Sequence, residues 1–180
     1  MIVASRNCNN SNLSFTDKFV SNMIQILFTE ASDDFWKCLK YDSTDALINP
    51  TYFVNNVDKY KLIKQNTADT RIKRLRFSDD ITTDARSEIR IFENGWEESE
   101  PRLFDVEIGF EIISHNDIIT LDGTGYSRLN IFRNEILELF NHRIVDGNIG
   151  ELSVLGLSGR SGSFNNKFQG YKFSIMGTST

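Results

Sequence analysis

The alternation of apolar and polar positions is clearest between Leu103 and His142. Phe104, Val106, Ile108, Phe110 and Ile112 alternate with Asp105, Glu107, Gly109 and Glu111. Side chains on a strand point to opposite faces with period two, so this pattern predicts a strand with one apolar and one acidic face. After a polar break at 114–117 and a short apolar run, Ile118 to Leu121, the period changes. Leu129, Phe132, Ile136 and Leu139/Phe140 recur at steps of three and four, the spacing of a helix with one buried stripe. Thr124 and Ser127 are its candidate caps, each offering a side-chain oxygen to an unpaired backbone N–H. Such a strand and such a helix must bury their apolar sides together, and the rest of the chain is expected to complete that two-layer unit.

Upstream, Phe19, Val20, Met23, Ile24, Leu27 and Phe28 form one face of a predicted helix over 15–30, capped by Ser14 or Thr16. A second short helix is predicted from a Ser32 cap, with Phe35, Trp36 and Leu39 inward. Asp33 and Asp34 would sit in its first turn, where the helix dipole favours them. Turn formers fill 41–50, and Pro50 ends that unit. The segment 51–70 mixes Lys59, Lys61 and Lys64 with Tyr60, Leu62 and Ile63 and predicts no definite element. Arg71–Phe77 reads as a charged strand and Ser87–Phe92 as a strand with a short apolar face. Between them and Leu103, residues 93–101 read as the polar loop of a long-armed hairpin. Leu152–Leu157 and Tyr171–Ile175 read as a closing hairpin around a loop at 158–168 that is longer than a tight turn needs. The expected fold is α+β, in the order α-α-β-β-β-α-β-β, with a mostly antiparallel sheet and helices packed on one face. Residues 1–14 read as a flexible N-terminal arm and 15–180 as a single α+β domain.

Composition narrows the class. The chain has 180 residues, 39% apolar and 25% charged, and one domain of this length buries roughly two thirds of the surface of its unfolded chain. The 14 Phe predict a Phe-rich core. A net charge of −5 argues against a dedicated nucleic-acid binder, which is normally basic. Cys8 and Cys38 form neither a disulfide framework nor a zinc motif, so reduced thiols and a cytoplasmic setting are expected. The first residues do not read as a signal peptide, no run approaches a membrane span, and no membrane partner is expected.

Candidate chemistry is sparse. His115 and Asp117 form an H-x-D pair, read as a hydrogen-bonded turn rather than a metal site because no further ligands accompany it. Asp122–Gly125 precedes a helix but matches neither phosphate-binding glycine pattern, so it reads as a strand-to-helix turn. The chain is read as a non-enzyme with no catalytic residues, no metal and no cofactor. Two features remain for interaction. Lys59, Lys61, Lys64, Arg71, Lys73, Arg74 and Arg76 cluster in an acidic chain; they either contact phosphate or form a solvated, intersubunit salt-bridging face. Trp96, Phe164 and Phe168, with Arg160 beside them, fall in the expected loops, where aromatics either anchor interfaces or fold back on their own domain.

A resemblance emerges from the order of these pieces: Trp36-Lys-Cys-Leu-Lys-Tyr41, Asp45-Ala-Leu47, the basic strand Arg71–Phe77, Ser87–Ile91, Phe104–His115, the helix opening with Arg128, Gly147–Leu152 and Gly170–Phe173. Over most of residues 32–176 the chain resembles the small neck and tail-terminator (tail-completion) proteins of tailed bacteriophages. The resemblance implies a structural virion protein, assembled in the host cytoplasm, that forms a homo-hexameric ring. The ring would cap the tail tube, end its growth and join it to the head connector or stopper protein. The tail sheath is a further candidate partner, and genomic DNA would pass through the lumen without specific binding. Closed rings use heterologous interfaces, and Asp105, Glu107 and Glu111 against the basic 59–76 segment would make such a pair. A head-completion or stopper protein of the neck is the alternative within this class. A nucleic-acid-binding regulatory module using 59–76 is the alternative outside it.

Overall fold

Each amphipathic segment finds its layer, and the layers meet on one side of a single sheet. The computed structural model describes residues 11–75, 84–100, 103–145 and 150–178, with the backbone alone at 11–16, 96, 98–100, 103–104 and 156–161. In chain order these form α1 (Ser11–Glu30), α2 (Asp33–Lys40), α3 (Asn56–Ile63), β1 (Ile72–Lys73), β2 (Ser87–Glu100), β3 (Leu103–His115), a 3-10 turn (Asn116–Ile118), α4 (Arg128–Phe140), β4 (Ser153–Ser163) and β5 (Phe168–Thr178). The sheet order is β1-β2-β3-β5-β4; β1 runs parallel to β2 and every other pair is antiparallel. The fold is therefore α+β with a mostly antiparallel sheet, as the patterning predicts.

The core lies between the sheet and the helices. Ile89 and Ile91 of β2, Val106, Ile108, Phe110 and Ile112 of β3, and Phe173 and Ile175 of β5 join Phe19, Met23, Leu27, Phe35, Phe132, Ile136 and Phe140 in one buried cluster. Phe110 stacks on Phe173 at 5.2 Å between centroids, while Phe35 meets Trp36 and Phe132 edge-on at 5.3 and 5.4 Å. These quadrupole-matched contacts add to the burial of apolar area. α2 packs against both α3 and α4, α3 packs beside β1, and α4 lies over β3 and β5. In the helical layer both α1 and α2 touch α3, α4 and β2.

Arg128, the first residue of α4, ties this layer to the irregular segment that follows α2. Its side chain is fully buried. Nε donates to the Ile118 carbonyl at 3.1 Å, Nη1 to the Tyr41 carbonyl at 2.8 Å and to that of Cys38, and Nη2 to the Ser43 carbonyl at 2.5 Å. Four carbonyls that helix and sheet leave unpaired are satisfied by one side chain.

Several boundaries depart from expectation, each for a local reason. α1 starts at Ser11, one turn before the expected cap, so residues 11–14 of the expected arm are helical, and the rest of that arm lies outside the described residues. An end turn needs no apolar face to propagate a helix already anchored by its later turns. α3 is an added helix: Asn55 accepts from the Asp58 N–H and Asp58 accepts from the Asn55 N–H, a complete capping box, and Leu62 is buried. Residues 93–100 of the expected loop are instead strand, and Pro101 lies outside the described residues. β2 pairs with β3 out to Glu100↔Leu103, with irregularities at Glu93/Gly95 and Glu98/Glu100. The 158–168 loop likewise resolves into β4 and β5 joined by a tight turn, in which Asn165 Oδ1 accepts from Lys167 N at 2.8 Å and Phe168 N at 3.0 Å. An Asx side chain that satisfies two backbone donors replaces a long loop. At α4, Ser127 takes the cap position without a side-chain bond, and Thr124 Oγ1 accepts from Tyr126 N at 3.2 Å instead.

Candidate functional site

The face of the sheet turned away from the helices carries most of the residues that the sequence singles out. Register aligns Lys73 with Arg90, Arg90 with Glu111, Glu111 with Lys172, and Lys172 with Arg160, a charged row across all five strands. Opposed residues share a face, so Glu111 lies between Arg90 and Lys172, whereas Asp105 stands between Glu97 and Thr178 and Glu107 between Gly95 and Met176. Glu111 is buried and pairs with Lys172 at 3.0 Å. Asp105 accepts from Thr178 Oγ1, and Glu107 from Asn94 Nδ2, both at 2.6 Å. The acidic side expected of β3 does face away from the helices, and on it Asp105, Glu107 and Glu111 each bond a partner on β2 or β5.

The basic segment is absorbed in the same way. Arg71 donates to Asp42 at 2.7 Å, and burial still pushes the Asp42 carboxyl up against the pull of that guanidinium. Lys73 and Arg90 each reach Glu88 at 2.8 Å, and Arg86 bonds the same carboxylate. Burial alone would raise the Glu88 carboxyl. The Lys73 hydrogen bond and the charges of Lys73, Arg86 and Arg90 together hold it below the usual glutamate range. Arg74 donates to the Asp17 carbonyl at 2.5 Å. Arg76 lies outside the described residues, as do the side chains of Trp96, which pairs with Val106 in β2, and Arg160, opposite Lys172.

The aromatics of the expected loops divide. Phe168 is buried and meets His115 edge-on at 5.0 Å, so it folds back on its own domain and is no exposed anchor. Phe164 is half-buried, with Lys172 Nζ 4.6 Å from its ring centroid. Its ring lies over Gly170, where an added Cβ would come within 2.7 Å of it and 2.0 Å of the Ile112 carbonyl oxygen. Phe92 lies over Gly109 in the same manner. Beside the Phe92 ring a shallow depression of about 430 Å³ is lined by Phe92, Asn94, Gly109, Glu111, Lys172 and Ser174, among others.

Reactive groups are engaged in structure. His115 Nδ1 accepts from Asp117 N at 3.2 Å, within the 3-10 turn, and His142 contacts Glu151 at 2.6 Å on the surface. The Cys38 thiol is pushed up to about 11 by burial, which leaves it protonated and unreactive at neutral pH. Asp122, opening the glycine turn, accepts from Thr44 Oγ1 at 2.5 Å. Among the described residues no three His, Cys, Asp or Glu side chains gather as a metal site.

Two surfaces on the helical layer were not singled out by the sequence. The first is a stripe on and before α3: Phe53, Val57 and Tyr60 are 68, 63 and 57% exposed. The backbone under Phe53 is held in place, because Tyr41 Oη accepts from its N–H at 3.1 Å and donates to its carbonyl at 2.7 Å, and Lys40 Nζ donates to that carbonyl at 3.0 Å. The second is a groove of about 790 Å³ along α4, with Leu47, Ile48, Tyr126 and Ile131 on its walls and Asp34, Glu135 and Glu138 at its rim. The four- and three-residue steps from Phe53 to Tyr60 were the available signal, but the apolar Leu62 and Ile63 beside them obscured which side faces inward.

One comparison places this architecture among known proteins. A family profile described as YomW matches residues 32–175. The chain belongs to the YomW family. The match opens at the Ser32 cap of α2 and closes within β5, so it takes in the sheet up to Ile175, Arg128, the stripe and the groove, and leaves α1 outside. The YomW name is phage-derived and points to a bacteriophage origin. No curated protein and no solved structure matches the chain.

Proposed function

We propose that this YomW-family chain is a structural protein of the phage neck, a tail terminator whose homo-hexameric ring caps the tail tube and joins it to the head connector. The observation that carries the reading is the pairing of unlike surfaces. The helical layer presents an exposed apolar stripe among lysines on and before α3, and along α4 a groove with apolar walls and carboxylates in its lining. Two unlike surfaces on one chain suit the heterologous contacts that close a ring. The bacteriophage origin and the span of the family match, nearly that of the neck-protein resemblance, support the same reading. The tail tube would meet one rim, the connector or stopper the other, and the sheath would dock outside in a contractile phage. DNA would pass through the lumen.

Light scattering on the purified full-length chain, alone and with tail-tube protein, tests the reading. A six-fold particle alone or on tube ends is expected, and a monomer in both samples overturns it. Particles lacking the protein separate the alternative within the neck: tails of uncontrolled length indicate a terminator, whereas intact tails beside heads that leak DNA indicate a stopper.

A further inference from the structure

Resting on the ring reading, we infer that the contact between neighbouring copies is the Phe53–Val57–Tyr60 stripe of one chain seated in the α4 groove of the next. The stripe lies on and before α3, which stands beside β1, whereas the groove runs along α4, over β3 and β5, and is lined also by Ser32, Asp34, Leu47 and Ile48, so stripe and groove are distinct surfaces of one chain. A contact between two distinct surfaces leaves a free stripe and a free groove at the ends of any open run of copies, and it ends in a ring where the rotation closes.

The chemistry is complementary. Three large side chains, each more than half exposed, are costly to leave in water, and a capped helix with a clamped Phe53 presents them with little entropy to lose on docking. The groove supplies Leu47, Ile48, Tyr126 and Ile131 to receive them. Around the stripe, Lys61 and Lys64 are exposed and carry no ion pair among the described residues. Around the groove, the same is true of Asp34 and Glu138. Glu135 is already committed, accepting from Ser32 N and Oγ at 2.7 Å each. An apolar centre with a polar rim of opposite charges is the usual anatomy of a specific interface. The basic patch and the acidic patch belong to the same chain, which makes a second copy the occupant favoured by charge.

The test uses two full-length variants whose changes fall on exposed positions. The stripe variant carries Phe53→Glu and Tyr60→Glu; the groove variant carries Ile48→Arg and Glu138→Lys. Circular dichroism checks that both keep the wild-type fold, and sedimentation velocity reads assembly. Each variant alone is expected to be monomeric, with self-association weakened roughly 30-fold or more. Mixed, the two retain a single intact stripe–groove pair and are expected to form a one-to-one dimer that grows no further. Variants that assemble like the wild type overturn the docking assignment while leaving the ring intact. A mixture that stays monomeric shows that the two surfaces do not meet and overturns it equally. A wild-type chain that never assembles removes the ring reading along with it.

Discussion

Arg128 and Glu88 carry buried charge in opposite ways. The Arg128 guanidinium is surrounded by carbonyl dipoles from Cys38, Tyr41, Ser43 and Ile118, and no carboxylate bonds it. Burial pulls its pKa down, yet a guanidinium stays protonated throughout the accessible pH range. Removing it leaves four buried acceptors to be resolvated at once. Arg128→Ala is therefore expected to cost about 3–5 kcal/mol in urea unfolding, and Arg128→Lys to recover only part of that, since an ammonium cannot fan its donors across four carbonyls. An alanine variant within about 1 kcal/mol of wild type would contradict the clamp. Glu88, 2% exposed, is instead one carboxylate against three cations. Its folded pKa lies below the unfolded value of about 4.3. The stabilisation is present in full above that value and is lost as pH falls through the lowered folded pKa. Glu88→Gln is expected to destabilise the chain by roughly 3 kcal/mol at neutral pH, because the cations lose their counter-charge. It should also flatten the acid limb of the stability curve; an unchanged acid limb would assign that limb to other carboxylates.

At the scale of elements, periodic burial was readable and pairing was not. α2, β3 and α4 are legible because each repeats apolar residues on one side, from Phe35 to Leu39, Val106 to Ile112 and Leu129 to Phe140. The distal half of β2 is not, since Glu93, Glu97, Glu98 and Glu100 resemble a solvated loop until β3 is known to lie beside them. β4 has the same difficulty: a strand of Ser and Gly gains its order from the β5 ladder, not from its own side chains. α3 depended on an Asn–Asp capping box that the dense lysines masked. The candidate site followed the same division. Arg71, Lys73, Asp105 and Glu111 were visible as charges, but their partners Asp42, Glu88, Thr178 and Lys172 lie 15 to 73 positions away in sequence. Long-range satisfaction of this kind has no local signature. The stripe and groove were hidden for the complementary reason: nothing in a single sequence says which of two apolar sides a short helix leaves uncovered.

For the whole molecule, the distribution of charge bears on the choice between the proposed ring, through which DNA would pass, and a module that would hold it. Affinity for duplex DNA scales with the number of phosphates neutralised by available cations, each releasing a counterion. Here the net charge is −5, and Arg71, Lys73 and Arg74 are spent on Asp42, Glu88 and Asp17 within the fold. To contact phosphate, each would have to exchange a formed interaction for a new one, which removes most of the gain. Among the described residues of the segment Lys61 and Lys64 remain exposed, too few by themselves to hold duplex DNA at ordinary ionic strength. Fluorescence anisotropy with a random-sequence duplex is therefore expected to show no binding up to about 10 µM protein at about 50 mM salt, conditions under which nonspecific DNA binders saturate. Binding that weakens steeply with salt, and that disappears when Arg71, Arg74 and Arg76 are changed together to alanine, would reverse the decision in favour of a regulatory module. Such binding would require the segment around β1 to release its carboxylate partners, and Asp42→Asn would then strengthen it by freeing Arg71.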